Sequence, residues 1–143
     1  MFILKLLAYI WQLPQHFVAL FVLYILNRKK IETSYAYRKG VYFVRKGIPK
    51  SGLTLGHYTL LYPPFKYYPK AYKTLSVVKH ETGHSKQSLI LGPLYLPILI
   101  FVKAFNFLRV KIFHRSWDAE TIRTWQKSLW LERWADKLGG LRH

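Results

Sequence analysis

His80, Glu81 and His84 stand in the string His80-Glu-Thr-Gly-His84, which has the HExxH spacing. On a helix, residues four apart share a face, so the two imidazoles can reach one metal ion. Glu81 projects beside that pair. There a carboxylate can take a proton from a metal-bound water and later pass it to a leaving amine. A metal lowers the pKa of bound water from about 16 to about 7, which makes a nucleophile at neutral pH. These residue types at this spacing therefore imply metal-assisted hydrolysis. The chain has no cysteine, so any metal must be held by His, Asp or Glu.

A catalytic zinc site takes three protein ligands. Toward the C-terminus, Ile122, Trp125, Leu129, Glu132 and Asp136 follow steps of three and four residues. That is one continuous stripe if a single helix runs from about Asp118 to Leu138. The apolar part of the stripe faces a core, and the two carboxylates continue it. Inward-facing acids are costly unless they meet a cation. Glu132 is thus the expected third ligand. Asp136, one turn on, can accept a hydrogen bond from a ligand histidine and fix its tautomer. Gln87 and Ser88 lie one turn after His84 and are candidates to line the site or orient a ligand.

The acids are few enough for their positions to matter. The 143 residues hold six Asp and Glu against 23 Lys and Arg, a formal charge of +17. Glu81, Glu132 and Asp136 fall in the two motifs. Asp118 and Glu120 open a helix, where negative charge suits the dipole. Only Glu32 is left without a place.

Glu132-Arg-Trp-Ala-Asp136, followed by Gly139, resembles the ExxAD-type second motif of membrane gluzincins, the group of the CAAX prenyl proteases and heat-shock membrane proteases. The resemblance implies that His80, His84 and Glu132 bind one zinc ion, that Glu81 is the general base, and that Asp136 supports a histidine. The string from His80 to Ser88, then Leu91-Gly-Pro-Leu-Tyr-Leu-Pro97, is also similar to small uncharacterised bacterial and phage-borne metallopeptidases. That similarity spans roughly residues 52–143.

The elements that must position these residues follow from pattern. Residues 1–26 carry one formal charge, Lys5, and are long enough to cross about 30 Å of hydrocarbon. Gln12, Pro14, Gln15 and His16 interrupt the run, so a kink is expected. Asn27-Arg-Lys-Lys30 follows at once, which by the positive-inside rule places the rest of the chain on the cytoplasmic side. Residues 1–27 thus read as a transmembrane or anchoring helix, and 28–143 as one metallopeptidase-like domain.

Val41–Val44 reads as one strand, and 53–62 as a second with Gly56 as a bulge, together a small antiparallel sheet. Residues 65–73 form a basic aromatic loop. The HExxH helix is expected over about Ser76–Leu91, stopped by Gly92-Pro93. The apolar residues 93–108 are short for a span and fit an interfacial or re-entrant segment, with Arg109, Lys111 and Arg115 at lipid headgroups. The expected class is α+β: membrane helix, small antiparallel sheet, HExxH helix, interfacial segment and C-terminal ligand helix, a minimal zincin-like arrangement.

The expected function is zinc-dependent peptide hydrolysis at a membrane surface, with a peptide or protein substrate and anionic lipid as partners. The alternative is a non-enzymatic basic membrane-interacting protein of holin, toxin or scaffold type, with a degenerate or structural metal site. A nucleic-acid binder of this charge is polar along most of its length, and the uncharged opening run disfavours that class.

Overall fold

The computed structural model describes residues 2–26, 31–37, 40–45, 52–61 and 76–141. Residues 27–30 and the loop 65–73 lie outside them.

The N-terminal run is helical but not one helix. Helix α1 spans Phe2–Trp11, and α2 spans Leu13–Leu20 and runs on through π-helical turns over Phe21–Leu26. The break falls at Gln12, with φ −104° and ψ 13°, just before Pro14 in the first turn of α2. Proline suits that position because its missing N–H has no helical partner there. Gln12 and Gln15 are fully buried, while Ile10 and Phe17 beside them are exposed. The polar residues that interrupt the apolar run are thus the ones that face the protein interior.

Four strands follow: β1 (Ile31–Tyr37), β2 (Gly40–Arg45), β3 (Gly52–Leu55) and β4 (Tyr58–Leu61). They form one sheet in the order β1-β2-β4-β3. β1 pairs with β2 and β3 with β4 antiparallel, but β2 and β4 run parallel, from Val41 opposite Tyr58 to Val44 opposite Leu61. The expected all-antiparallel sheet is therefore a mixed one. Gly56 is not a bulge. It is the first residue of a two-residue hairpin turn, at φ +62°, and it splits 53–62 into two strands. Glycine meets a positive φ without steric penalty, and such turns suit twisted hairpins.

Helix α3 spans Ser76–Leu91. A single 3-10 turn, Gly92–Leu94, carries it into α4, Tyr95–Phe113. The segment expected to be too short to span is therefore part of a 19-residue helix, about 28 Å long. The joined stretch Ser76–Phe113 is long and apolar enough to cross a membrane. Ile100, Phe101, Phe105, Phe107 and Phe113 on α4 are all exposed.

The C-terminal helix is also two: α5 (Ala119–Lys127) and α6 (Trp130–Gly139). Asp118 caps α5 by accepting the Thr121 amide at 2.8 Å. The break comes at Ser128 and Leu129. The Ser128 hydroxyl donates to the Trp125 carbonyl at 2.6 Å, and Leu129 is extended (φ −62°, ψ 146°). A serine hydroxyl that satisfies the preceding turn competes with helix continuation. The predicted single stripe from Ile122 to Asp136 is accordingly interrupted. Glu132 and Asp136 sit on the buried face of α6, whereas α5 buries no residue. Gly140, at φ +81°, terminates α6.

The core beside the site contains Leu61, Val78, Tyr95, Leu131 and Ala135, each no more than 1% exposed. Each buried Leu contributes about 1.5–3 kcal/mol.

Candidate metal centre

The centre is made where α3 crosses α6. The two backbones meet closely because small residues face each other. A Cβ on Gly83 would lie 1.8 Å from the Ala135 carbonyl oxygen, and one on Gly139 would lie 2.0 Å from the Lys79 carbonyl oxygen. Ala135 and Gly139 are four residues apart, one helical face of α6 with almost no side-chain bulk. The contact is secured by Gln87, whose amide nitrogen donates to the Leu131 carbonyl at 2.7 Å, and by Lys86, which donates to the Leu138 carbonyl at 2.5 Å.

This approach brings His80, His84 and Glu132 together. His80 Nε2 and His84 Nε2 are 3.1 Å apart. Glu132 Oε2 lies 3.1 Å from the first and 3.3 Å from the second. Glu81, His84, Glu132 and Asp136 are only 4–7% exposed.

The hydrogen bonds around the triangle determine what its corners are. Asp136 Oδ1 is 2.6 Å from His80 Nδ1. An ionised carboxylate only accepts, so His80 carries a proton on Nδ1 and turns Nε2 toward the centre. The Leu131 carbonyl also only accepts, so the Gln87 amide nitrogen must face it. Gln87 Oε1 then faces His84 Nδ1, at 2.8 Å. That oxygen is an acceptor, so His84 likewise carries a proton on Nδ1 and turns Nε2 toward the centre. Two imidazole Nε2 atoms and a carboxylate oxygen thus converge on one point, with each Nδ1 already committed outward. Positive charge at that point makes the arrangement favourable: burial disfavours a charged His80, but the carboxylates of Glu132, Glu81 and Asp136 outweigh it and raise its pKa to about 9, and a metal ion would take the place of that proton. A tetrahedral zinc with bonds of about 2.0–2.1 Å separates its ligand atoms by roughly 3.3–3.4 Å. The observed triangle fits that requirement. Among the described residues, His80, His84 and Glu132 are the one group of three that could hold a metal ion.

Glu132 is divided between two partners. Oε2 faces the histidines, and Oε1 accepts from the Lys103 ammonium. Burial disfavours the ionised carboxyl, but hydrogen bonds from both histidines and the Lys103 charge outweigh it and hold Glu132 well below the ordinary carboxylate range. Lys103 is the charge in the middle of apolar α4, and this is what it meets. Sequence reading missed the pair, because only the fold brings α4 and α6 together.

Glu81 is not in the triangle. Its Oε2 accepts from the Thr54 hydroxyl at 2.6 Å. Thr54 and Thr59 face each other across the β3–β4 hairpin, with hydroxyls 2.9 Å apart. Thr54 spends its only proton on Glu81, so Thr59 donates to Thr54. The hairpin thereby fixes the orientation of Glu81. Gly52 lies against the same side chain: a Cβ there would stand 2.3 Å from Glu81 Oε1. The cross-strand threonines were the available signal for this relay, legible only once the hairpin is known.

Two adjoining cavities, of about 340 and 170 Å³, share Gly52, His80, Glu81, Lys103 and Glu132 in their walls. Gln87 orients His84 rather than lining them. Ser88 belongs elsewhere: its hydroxyl accepts from Gln12 Nε2 at 3.1 Å. Nearby, Trp11 donates to the Leu89 carbonyl at 3.1 Å, and Gln15 donates to the Gly92 carbonyl. The N-terminal helices are therefore tied to the end of α3 that follows the histidines.

Comparison with protein-family models, with curated proteins and with solved structures finds no match to this chain.

Proposed function

We propose that this chain is a zinc-dependent peptidase working at a membrane surface. The observation that carries the reading is the convergence of three potential ligand atoms, 3.1–3.3 Å apart, with both histidine Nδ1 atoms turned outward. A two-imidazole, one-carboxylate donor set suits zinc. Bound there, zinc would supply a Lewis acid and a water of lowered pKa.

The chain's own residues supply the rest. Glu81, held by Thr54 at the wall of both cavities, takes the proton of the attacking water and returns it to the amine nitrogen as the C–N bond breaks. β3 is an edge strand of the described sheet and lies beside Glu81, where an extended peptide can align. The exposed apolar residues of α1, α2 and α4 support membrane attachment. The basic residues that follow residue 26 support a cytoplasmic placement of the site.

The test is cleavage of a casein or peptide pool by the full chain in detergent, with zinc added. Glu81→Gln should lower the rate by roughly 10²–10⁴-fold while keeping its metal. Equal rates for wild type and Glu81→Gln would remove the reading.

The exposed aromatic face of α4 also favours a second reading, a membrane-interacting protein in which the metal is structural. It predicts vesicle binding that survives His80→Ala and no zinc-dependent cleavage.

A further inference from the structure

The larger cavity has one wall that the proposed reaction does not use. Helix α5 contributes Arg123, Gln126 and Lys127 to the lining that also holds His80 and Glu81. Positions 123, 126 and 127 are three and four residues apart and so share one helical face. The break at Leu129 separates that face from α6, so it borders the cleft instead of continuing the ligand helix. Every acid in the cavity wall already has a partner: Glu81 has Thr54, Glu132 has the histidines and Lys103, and Asp136 has His80. Among the described residues, none forms an ion pair with Arg123 or Lys127. The first turn of α3, Ser76 and Val77, lines the same cavity and adds the positive end of a 16-residue helix. Lys103, Arg123 and Lys127 match the three carboxylates in number, so a bound dication would leave the cavity net positive.

We propose that Arg123 and Lys127 form a subsite for a carboxylate of the peptide substrate, either its C-terminus or an acidic side chain. The inference rests on the peptidase reading, and it makes the wall of α5 the determinant of which peptides are held. The guanidinium offers a planar fork that a carboxylate meets with two hydrogen bonds, and Lys127 adds a point charge beside it.

Binding can be read without turnover. The zinc-loaded full chain carrying Glu81→Gln is titrated in detergent against four fluorescein-labelled probes. They are hexa-alanine with a free C-terminus, the same peptide amidated, and amidated peptides with one glutamate or one lysine replacing an alanine. Fluorescence anisotropy gives the affinities. The free-acid probe, the glutamate probe or both should bind about tenfold more tightly than the amidated one, the worth of one charge-assisted hydrogen bond. The lysine probe should be the weakest. Which of the two acidic probes gains tells the C-terminus from the side chain. Adding Arg123→Glu and Lys127→Glu should abolish the preference, with zinc content and thermal unfolding unchanged, and Arg123→Lys should keep part of it.

Equal affinity for all four probes overturns the subsite, as does a preference that persists in the charge-reversed variant. So does displacement of every probe alike by phosphatidylglycerol vesicles, which assigns the wall to lipid headgroups. A preference that depends on Arg123 and Lys127, together with no cleavage by wild type, upholds the subsite and removes the peptidase reading.

Discussion

Two pairs of histidines lie in this molecule at nearly the same separation, and they are built for different things. His80 and His84 bring their Nε2 atoms to 3.1 Å, and His16 Nε2 and His57 Nδ1 stand 3.0 Å apart. In the first pair both Nδ1 atoms face acceptors, Asp136 and Gln87, so both Nε2 atoms turn inward, and a carboxylate joins them. In the second pair one ring can donate to the other, and the neutral pair is satisfied without an ion. Rings surround it: Tyr9 stacks on His57 with an interplanar angle of 3°, and Tyr58 meets His16 edge-on. Among the described residues, no third His, Asp or Glu ligand joins His16 and His57. Two close imidazoles do not make a metal site. The outward hydrogen bonds and the third anionic donor do.

The most damaging way to test that contrast is to push α3 and α6 apart. Gly83→Ala places a methyl group into the Ala135 carbonyl, and neither backbone can yield cheaply. It should destabilise the fold by about 3 kcal/mol or more, lower Tm by roughly 10 °C and abolish metal binding, while leaving the His16–His57 contact in place. A stable, zinc-replete Gly83→Ala protein in a thermal melt would contradict the packing described.

A subtler change alters only the tautomer. Asp136→Asn keeps the shape beside His80 but no longer demands a proton on Nδ1. Zinc affinity, measured by competition with a chromophoric chelator, should fall roughly 10–100-fold. An unchanged affinity would mean that Asp136 does not orient His80. His16→Ala sharpens the comparison from the other side. It removes a buried ring between α2 and the β3–β4 turn and should cost about 1–2 kcal/mol, but zinc affinity should not move. A loss of zinc there would make the two pairs one system.

The smallest effect concerns a carboxylate outside the site. Hydrogen bonding to Thr121 holds the Asp118 carboxyl below its ordinary value, and the group is fully exposed. A depressed pKa gives stability that is present above the unfolded value and lost as pH falls through the folded one. Helix α5 should therefore weaken slightly in acid, below about pH 4. Asp118→Asn keeps the cap and should remove that pH dependence, as read by thermal melts at pH 3 and pH 6.

How far the sequence carried differs from element to element, for physical reasons. The α3 helix, the helix start near Asp118 and the α+β class were legible because each depends on local spacing or composition. The mixed sheet was not, since the parallel pairing of β2 with β4 is a tertiary choice that alternation does not encode. The α5–α6 break was missed because no Gly or Pro marks it, and the Ser128 hydroxyl supplies the only local cue. Lys103 is a charge inside an apolar run, with nothing nearby in the sequence to explain it. Its partner Glu132 is 29 residues away on another helix. Gln12 and Gln15 were seen as a kink, yet their side chains reach Ser88 and Gly92, contacts between distant parts of the chain.

Metal content by elemental analysis of the purified full chain tests the central claim most directly. Wild type, Glu81→Gln and His16→Ala should each hold about one zinc per chain. His80→Ala and Glu132→Ala should hold none. Wild type without metal, or metal retained when His80 or Glu132 is removed, would contradict the centre described here.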